Sequence, residues 1–166
     1  MKARKQNESQ PDIVINRLAK FTKQILGLSK PYKILVAGMA FKGRPETDDL
    51  RGTMAQPILE ALTRYFERPK VILYDPVIDP EVLREKFNLP VTVTLEEGFF
   101  EASIVIFANN HPEFEYIPVG VFAERMASPS VIFDFWNNFS SNDVQIPSHV
   151  TYVGLGDLGR KEQELK

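Results

Sequence analysis

The chain has 166 residues, enough for one domain with a flanking element, and at 43% hydrophobic and 25% charged it has an ordinary globular composition. A formal net charge of −2 gives no general attraction to nucleic acid or to an acidic membrane. The absence of cysteine excludes disulfides, thiolate metal sites and a cysteine nucleophile, and with no long apolar run and no signal-peptide core the reading is of a cytoplasmic protein.

In chain order, residues 12–28 place Val14, Leu18, Phe21, Ile25 and Leu28 at spacings of 4, 3, 4 and 3, one apolar face of a helix. Pro11 suits the first turn of such a helix, so Asn7, Ser9 and Pro11 are expected to break the chain, with "MKARKQNES" the tail of an earlier helix. "YKILVAG" is an apolar run of the kind found in buried parallel strands. After a polar loop, "TMAQPILEALTRYFE" carries Ile58, Leu62, Tyr65 and Phe66 at helical spacing, and Thr53 with Gln56 resembles a capping box. "KVILYDP" reads as a second strand, "DPEVLREKF" as a helix with Pro80 at its start, "PVTVT" as a short third strand and "LEEGFFEA" as a short helix. "SIVIFANN" is a fourth strand, "VGVFAERMA" a helix, "SVIFDFW" a fifth strand and "HVTYVGLG" a sixth, before a charged tail "GRKEQELK" expected to fray.

Strands alternating with helices predict an α/β fold: a Rossmann-like three-layer sandwich with a mainly parallel sheet of about six strands, preceded by an N-terminal helix. In such sheets ligands bind beyond the carboxyl ends of the strands. Three clusters fall there. In "FKGRPETDDLRG" after the first strand, Lys42 offers an ammonium for a phosphate or sugar hydroxyl and Phe41 a face for a base or sugar. Asp48, Asp49 and Arg51 can pair and pin that loop, and Arg51 can also grip a phosphate bidentately. Residue types alone leave a solvated connection equally open. Asn109, Asn110 and His111 share the rim after the fourth strand, where a lone histidine is more often a structural hydrogen-bonder than a base. After the fifth strand, Trp136 and Asn137 are the candidates for facing a ligand. "GLGDLG" at 154–159 matches G-x-G-x-x-G, but too few residues follow for the helix and strand that give the motif meaning. No catalytic residue and no metal ligand is assigned.

Taken together, "VAGMAFKGRPETDDLRGT", "VILYDP", "ASIVIFANNHPEF" and "VIFDFWN", in that order, resemble the C-terminal UDP-binding domain of the UDP-glucose/GDP-mannose dehydrogenase family, enzymes that oxidise a sugar C6 alcohol twice with NAD. "ARKQNESQPDIVINRL" is similar to the end of that family's central helix. The resemblance implies that Phe41 and Lys42 contact a UDP-sugar, that Arg51 faces the NAD phosphates and that Asp48 and Asp49 shape the loop. Asn137 falls close to where many members place an arginine or another polar substrate contact. The loop here carries two more residues between the lysine and Thr-Asp-Asp than the common form.

The expected organisation is an end of a central-domain-like helix plus a connecting helix (1–30), a UDP-sugar-binding domain (31–158) and a charged tail (159–166). Its expected partners are a UDP-sugar and the NAD-binding and central domains of the family. NAD is the cofactor of the full-length enzymes, with none bound by this chain alone, and the chain alone is expected to be inactive. A homodimer follows if the 12–28 face lies unpacked. The alternative is a stand-alone, non-catalytic domain for nucleotide-sugar binding or protein interaction.

Overall fold

The computed structural model describes residues 2–27, 31–139 and 144–165. Helix α1 (Lys2–Leu26) leads into strand β1 (Lys33–Ala37), followed by α2 (Ala55–Tyr65), β2 (Lys70–Tyr74), α3 (Pro80–Phe87), α4 (Leu95–Phe99) and β3 (Ile104–Phe107). Two short helices, α5 (Glu113–Tyr116) and α6 (Val119–Ala123), precede β4 (Ser130–Asp134); β5 (Val150–Gly154) and α7 (Leu158–Glu164) complete the chain. The five strands are all parallel, in the order β2-β1-β3-β4-β5.

Alternation along each strand builds the two faces. Ile34, Val36, Leu73, Ile104, Ile106, Val131 and Phe133 pack under α1, α2, α3 and α7. Leu35, Ala37, Val105, Phe107 and Ile132 pack on the other side, against Leu95 and Phe99 of α4, Phe114 of α5 and Val119 of α6. The strands therefore read as continuous apolar runs because both faces are covered. Phe107 is the hub of the second face, with its ring centroid 5.0 Å from Phe114, 5.0 Å from Phe139 and 6.2 Å from Phe99.

The sandwich is the one expected, with five strands among the described residues where the sequence predicts about six. "PVTVT" forms only a single parallel bridge, Leu73 to Val91. Thr94 is already committed as the N-cap of α4, accepting from the Glu97 N–H at 3.2 Å, and Pro90 has no N–H to give. Nor does the chain break at Pro11. Helix α1 runs through it, since a proline removes one bond from the ladder and the contacts beyond it are strong. Asp12 pairs with Arg64 and accepts from the Tyr65 hydroxyl at 2.8 Å, while Ile15, Leu18 and Phe21 are buried. The face expected to drive dimer formation is thus covered by the chain's own core; Leu28 lies outside the described residues.

The start of α2 also differs. Met54 stands at its N-cap; Thr53 accepts from the Ala55 N–H at 3.1 Å and donates to Met39 O at 2.7 Å, and Gln56 turns outward to Glu60. The C-terminal segment is helical rather than frayed, because Leu158 is buried in the first face and Glu162 pairs with Arg17 of α1 at 2.8 Å. Among the described residues, no helix is long and apolar enough to cross a membrane. Replacing the hub by Phe107→Ala is expected to cost about 3–5 kcal/mol, read from urea unfolding; a loss below ~1 kcal/mol would mean that the second face does not pack around this ring.

Candidate functional site

Order β2-β1-β3-β4-β5 reverses direction between β1 and β3, and it is there that an open parallel sheet leaves a crevice at its carboxyl edge. The loop leaving β1 is built by its neighbours. Asp75, at the end of β2 and 8% exposed, accepts four backbone N–H groups. Its Oδ2 takes those of Met39 (2.7 Å) and Ala40 (3.0 Å), and its Oδ1 those of Val77 (2.8 Å) and Ile78 (3.0 Å). From the β3 side, Asn110 Oδ1 accepts from the Gly43 N–H at 3.3 Å, and Asn109 Nδ2 reaches Ala40 O at 3.5 Å. Gly38, at φ +93°, lies against Asn109, and Gly43 lies so close to the His111 backbone that a Cβ has no room at either position.

The distal part of the loop closes on itself. Phe41 N–H donates to Asp49 O at 2.7 Å, Asp49 accepts from the Arg51 N–H and guanidinium at 2.8–3.2 Å, and Gly52 faces the Phe41 ring. Of the residues named from sequence, Phe41, Asp49 and Arg51 therefore come together. Phe41, Lys42, Asp48 and Arg51 stay exposed, Arg51 with 91% of its side chain. Asp49 accepts these bonds within the loop, and Asp48 makes no hydrogen bond among the described residues. The Arg51 guanidinium beside it holds the Asp49 carboxyl at about 2, well below the usual carboxylate range.

On the β4 side the two neighbours separate. Trp136 turns toward β3, its indole N–H donating to Ala108 O at 3.0 Å. Asn137 occupies the left-handed region at φ +54°, which asparagine tolerates, and its amide oxygen lies beside Gly154 at the end of β5. The structure does not bring Asn137 to the Phe41–Arg51 loop. Beneath them Asp134, fully buried, accepts from the Trp136 N–H (3.0 Å), Asn138 Nδ2 (3.0 Å) and the Tyr152 hydroxyl (2.9 Å). Burial pushes the Asp134 carboxyl up against the pull of these bonds, and burial followed by the Asp134 charge pushes the Tyr152 phenol up.

His111 serves structure: its Nδ1 accepts from the Glu113 N–H at 3.1 Å, and its Nε2 lies 3.5 Å from Glu46 of the loop. Sequence reasoning missed Asp75 as an organiser. The available signal was the pair "YDP" and "FDF", each an aspartate closing a buried strand. No acid–histidine cluster of metal-binding kind occurs among the described residues.

A parallel α/β sheet with a pinned first loop at its switch point defines a Rossmann-like ligand-binding domain. The chain belongs to the UDP-glucose/GDP-mannose dehydrogenase family, matching its UDP binding domain over residues 35–141. It is 33% identical over 114 residues to the UDP-N-acetyl-D-mannosamine dehydrogenase of Campylobacter jejuni, covering 68% of this chain and 26% of that protein. The native structure of the UDP-N-acetyl-mannosamine dehydrogenase of Staphylococcus aureus is similar at 26% identity and a TM-score of 0.63, covering 94% of this chain and 33% of that one. The NDP-N-acetyl-D-galactosaminuronic acid dehydrogenase of Methanosarcina mazei shares the fold at a TM-score of 0.72 and 19% identity, over 93% of this chain and 30% of that one. The chain thus spans about a quarter to a third of the length of these relatives.

Two outcomes are expected. Asp75→Asn places an NH2 donor among N–H donors and should lower stability by about 2 kcal/mol or more in urea unfolding, with faster amide exchange at Met39 and Ala40; unchanged exchange at both would remove Asp75 from the loop's support. The Asp49 carboxyl, followed by NMR, should titrate near 2 and return toward ~3.9 in Arg51→Ala. Because the folded value is depressed, the pair's contribution is present above the unfolded value and is lost as pH falls through the folded one; a midpoint near ~3.9 in the unmodified chain would show the pair open in solution.

Proposed function

We propose that this chain forms the nucleotide-sugar half of the cleft of a UDP-sugar 6-dehydrogenase, holding a UDP-sugar against the Phe41–Arg51 loop. The observation that carries the reading is the loop itself: its backbone is pinned from β2 and β3 at the switch point, while Phe41 and Lys42 remain exposed on it. Rigid backbone with free, chemically apt side chains is what preorganised recognition requires. In this reading Lys42 meets the phosphates or the sugar as a point charge, and Phe41 offers an apolar face. Asp49 sets the loop's course through its bonds to Phe41 and Arg51, and Trp136 lines the rim over β3. Asn137 enters through the turn that presents Trp136 rather than through its amide.

NAD belongs to the whole enzyme in this proposal. Arg51 fits a role facing its phosphates from across the cleft, since its guanidinium is exposed and one terminal nitrogen is left over from the Asp49 pair. "GLGDLG" has no part in this reading: it runs through a short 3₁₀ turn into α7, whose Leu158 is buried in the core. The second oxidation of the family's chemistry proceeds through a thioester, and this chain has no thiol to form one.

Titration calorimetry of the 166-residue chain with UDP and UDP-N-acetylhexosamines is expected to show binding at ~0.1 mM or weaker, as befits half a pocket. Lys42→Ala should weaken it about tenfold, and no NADH should form when the sugar nucleotide and NAD are supplied together. Binding unchanged in both Phe41→Ala and Lys42→Ala would move the site elsewhere; steady NADH formation would overturn the half-cleft assignment.

A further inference from the structure

We infer that Trp136 is a fixed stacking platform for the planar base of the nucleotide, contributing π surface and no hydrogen bond; this rests on the reading of the rim as a UDP-sugar site. Trp136 is the chain's one tryptophan, and it is 46% exposed at the carboxyl edge of the sheet. Exposed large side chains ordinarily keep their rotamer freedom, because fixing one costs entropy with no burial in return. This one is fixed at both ends. Its backbone N–H donates to Asp134 Oδ1 at 3.0 Å and its indole N–H to Ala108 O at 3.0 Å.

The indole has a single polar group, and the Ala108 carbonyl consumes it. What the ring leaves to solvent is therefore carbon surface. It cannot read a ligand by hydrogen bonds; it can only offer its face. The support beneath is continuous: Tyr152 and Asn138 hold Asp134, and Asn138 Nδ2 also donates to Asn109 O at 3.1 Å. A buried carboxylate, an amide and a phenol thus converge to orient one half-exposed aromatic ring. The core does not need that orientation, but a preorganised contact does.

Its location suits the purpose. Ala108 and Asn109 follow β3, and Asn109 abuts Gly38 and Ala40 at the end of β1. The tryptophan therefore leans over β3 toward the β1 loop, not toward β5, where its neighbour Asn137 points. On that side lies the loop after β1 that carries Lys42. Every base has a π face, so the platform confers affinity for the nucleoside without choosing the sugar.

Because Trp136 is the chain's only tryptophan, its emission reports on this site alone. Titrated with UDP, UMP and inorganic pyrophosphate, the chain is expected to change its tryptophan emission with the two uridine ligands and not with pyrophosphate. The emission and calorimetric midpoints for UDP should agree. Trp136→Ala should weaken UDP at least about fivefold, and Trp136→Phe should retain most of the affinity, as stacking tolerates a smaller ring. Circular dichroism and the urea midpoint check that both variants fold. If the alanine variant does not fold, the phenylalanine variant and the unmodified chain's emission still decide. UDP binding by calorimetry with silent emission and unchanged affinity in either folded variant would remove Trp136 while leaving the UDP site standing. No calorimetric binding of UDP at all would overturn both.

Discussion

The Asp75 carboxylate is the constraint from which the candidate site follows. Met39 and Ala40 leave the sheet with their N–H groups facing inward, where water does not reach, and one buried anion takes both. Its other oxygen fixes the turn at Val77 and Ile78, so the exits of β1 and β2 are tied at a single residue. Asp134 repeats the device at the end of β4. One oxygen captures the N–H two residues on, at Trp136, while the other reaches the neighbouring strand through Tyr152. Two strand-end aspartates thus convert loop backbone into rigid rim.

The ion pairs across the loop contribute less. Arg44 with Glu115 and Arg51 with Asp49 are solvent-accessible, where water screens the attraction and leaves such pairs little net weight. They bias the loop's outer turn, whereas Asp75, Asn109 and Asn110 set its base. The division has a functional sense within the proposed reading: the base must be rigid to present Phe41 and Lys42, and the exposed outer turn tolerates change.

The sandwich was legible in the sequence because buried parallel strands announce themselves as apolar runs, and "YKILVAG", "KVILYDP", "SIVIFANN" and "SVIFDFW" each became a strand of the sheet. What failed were elements decided by tertiary contact. Pro11 reads as a boundary, yet Asp12 and Ile15 are held firmly enough to carry the helix through it. "PVTVT" has strand propensity, yet Thr94 is taken by the next helix. The charged tail became helical through Leu158 and Glu162, whose partners lie far away in sequence on α1 and in the core. At the site, the loop was visible through its residue types and its resemblance to the family. Its support was not: the aspartates closing two buried strands were the only local signal, and the partners that give Asp75 its role, Met39 and Ala40, lie far away in sequence. The opposite orientations of Trp136 and Asn137 depend on a left-handed turn that sequence order alone does not signal.

The solitary bridge at Val91 has a consequence of its own. A parallel sheet ending at β2 would offer its outermost strand as a template for any extended polypeptide. Here Leu73, the penultimate residue of that strand, gives its N–H to Pro90 O at 2.9 Å and takes one from Thr92 at 3.0 Å, so the carboxyl end of the border is already paired. Pro90 itself has no donor with which to recruit a further neighbour. The margin nearest the Asp75 knot is thereby closed at its carboxyl end to a foreign strand.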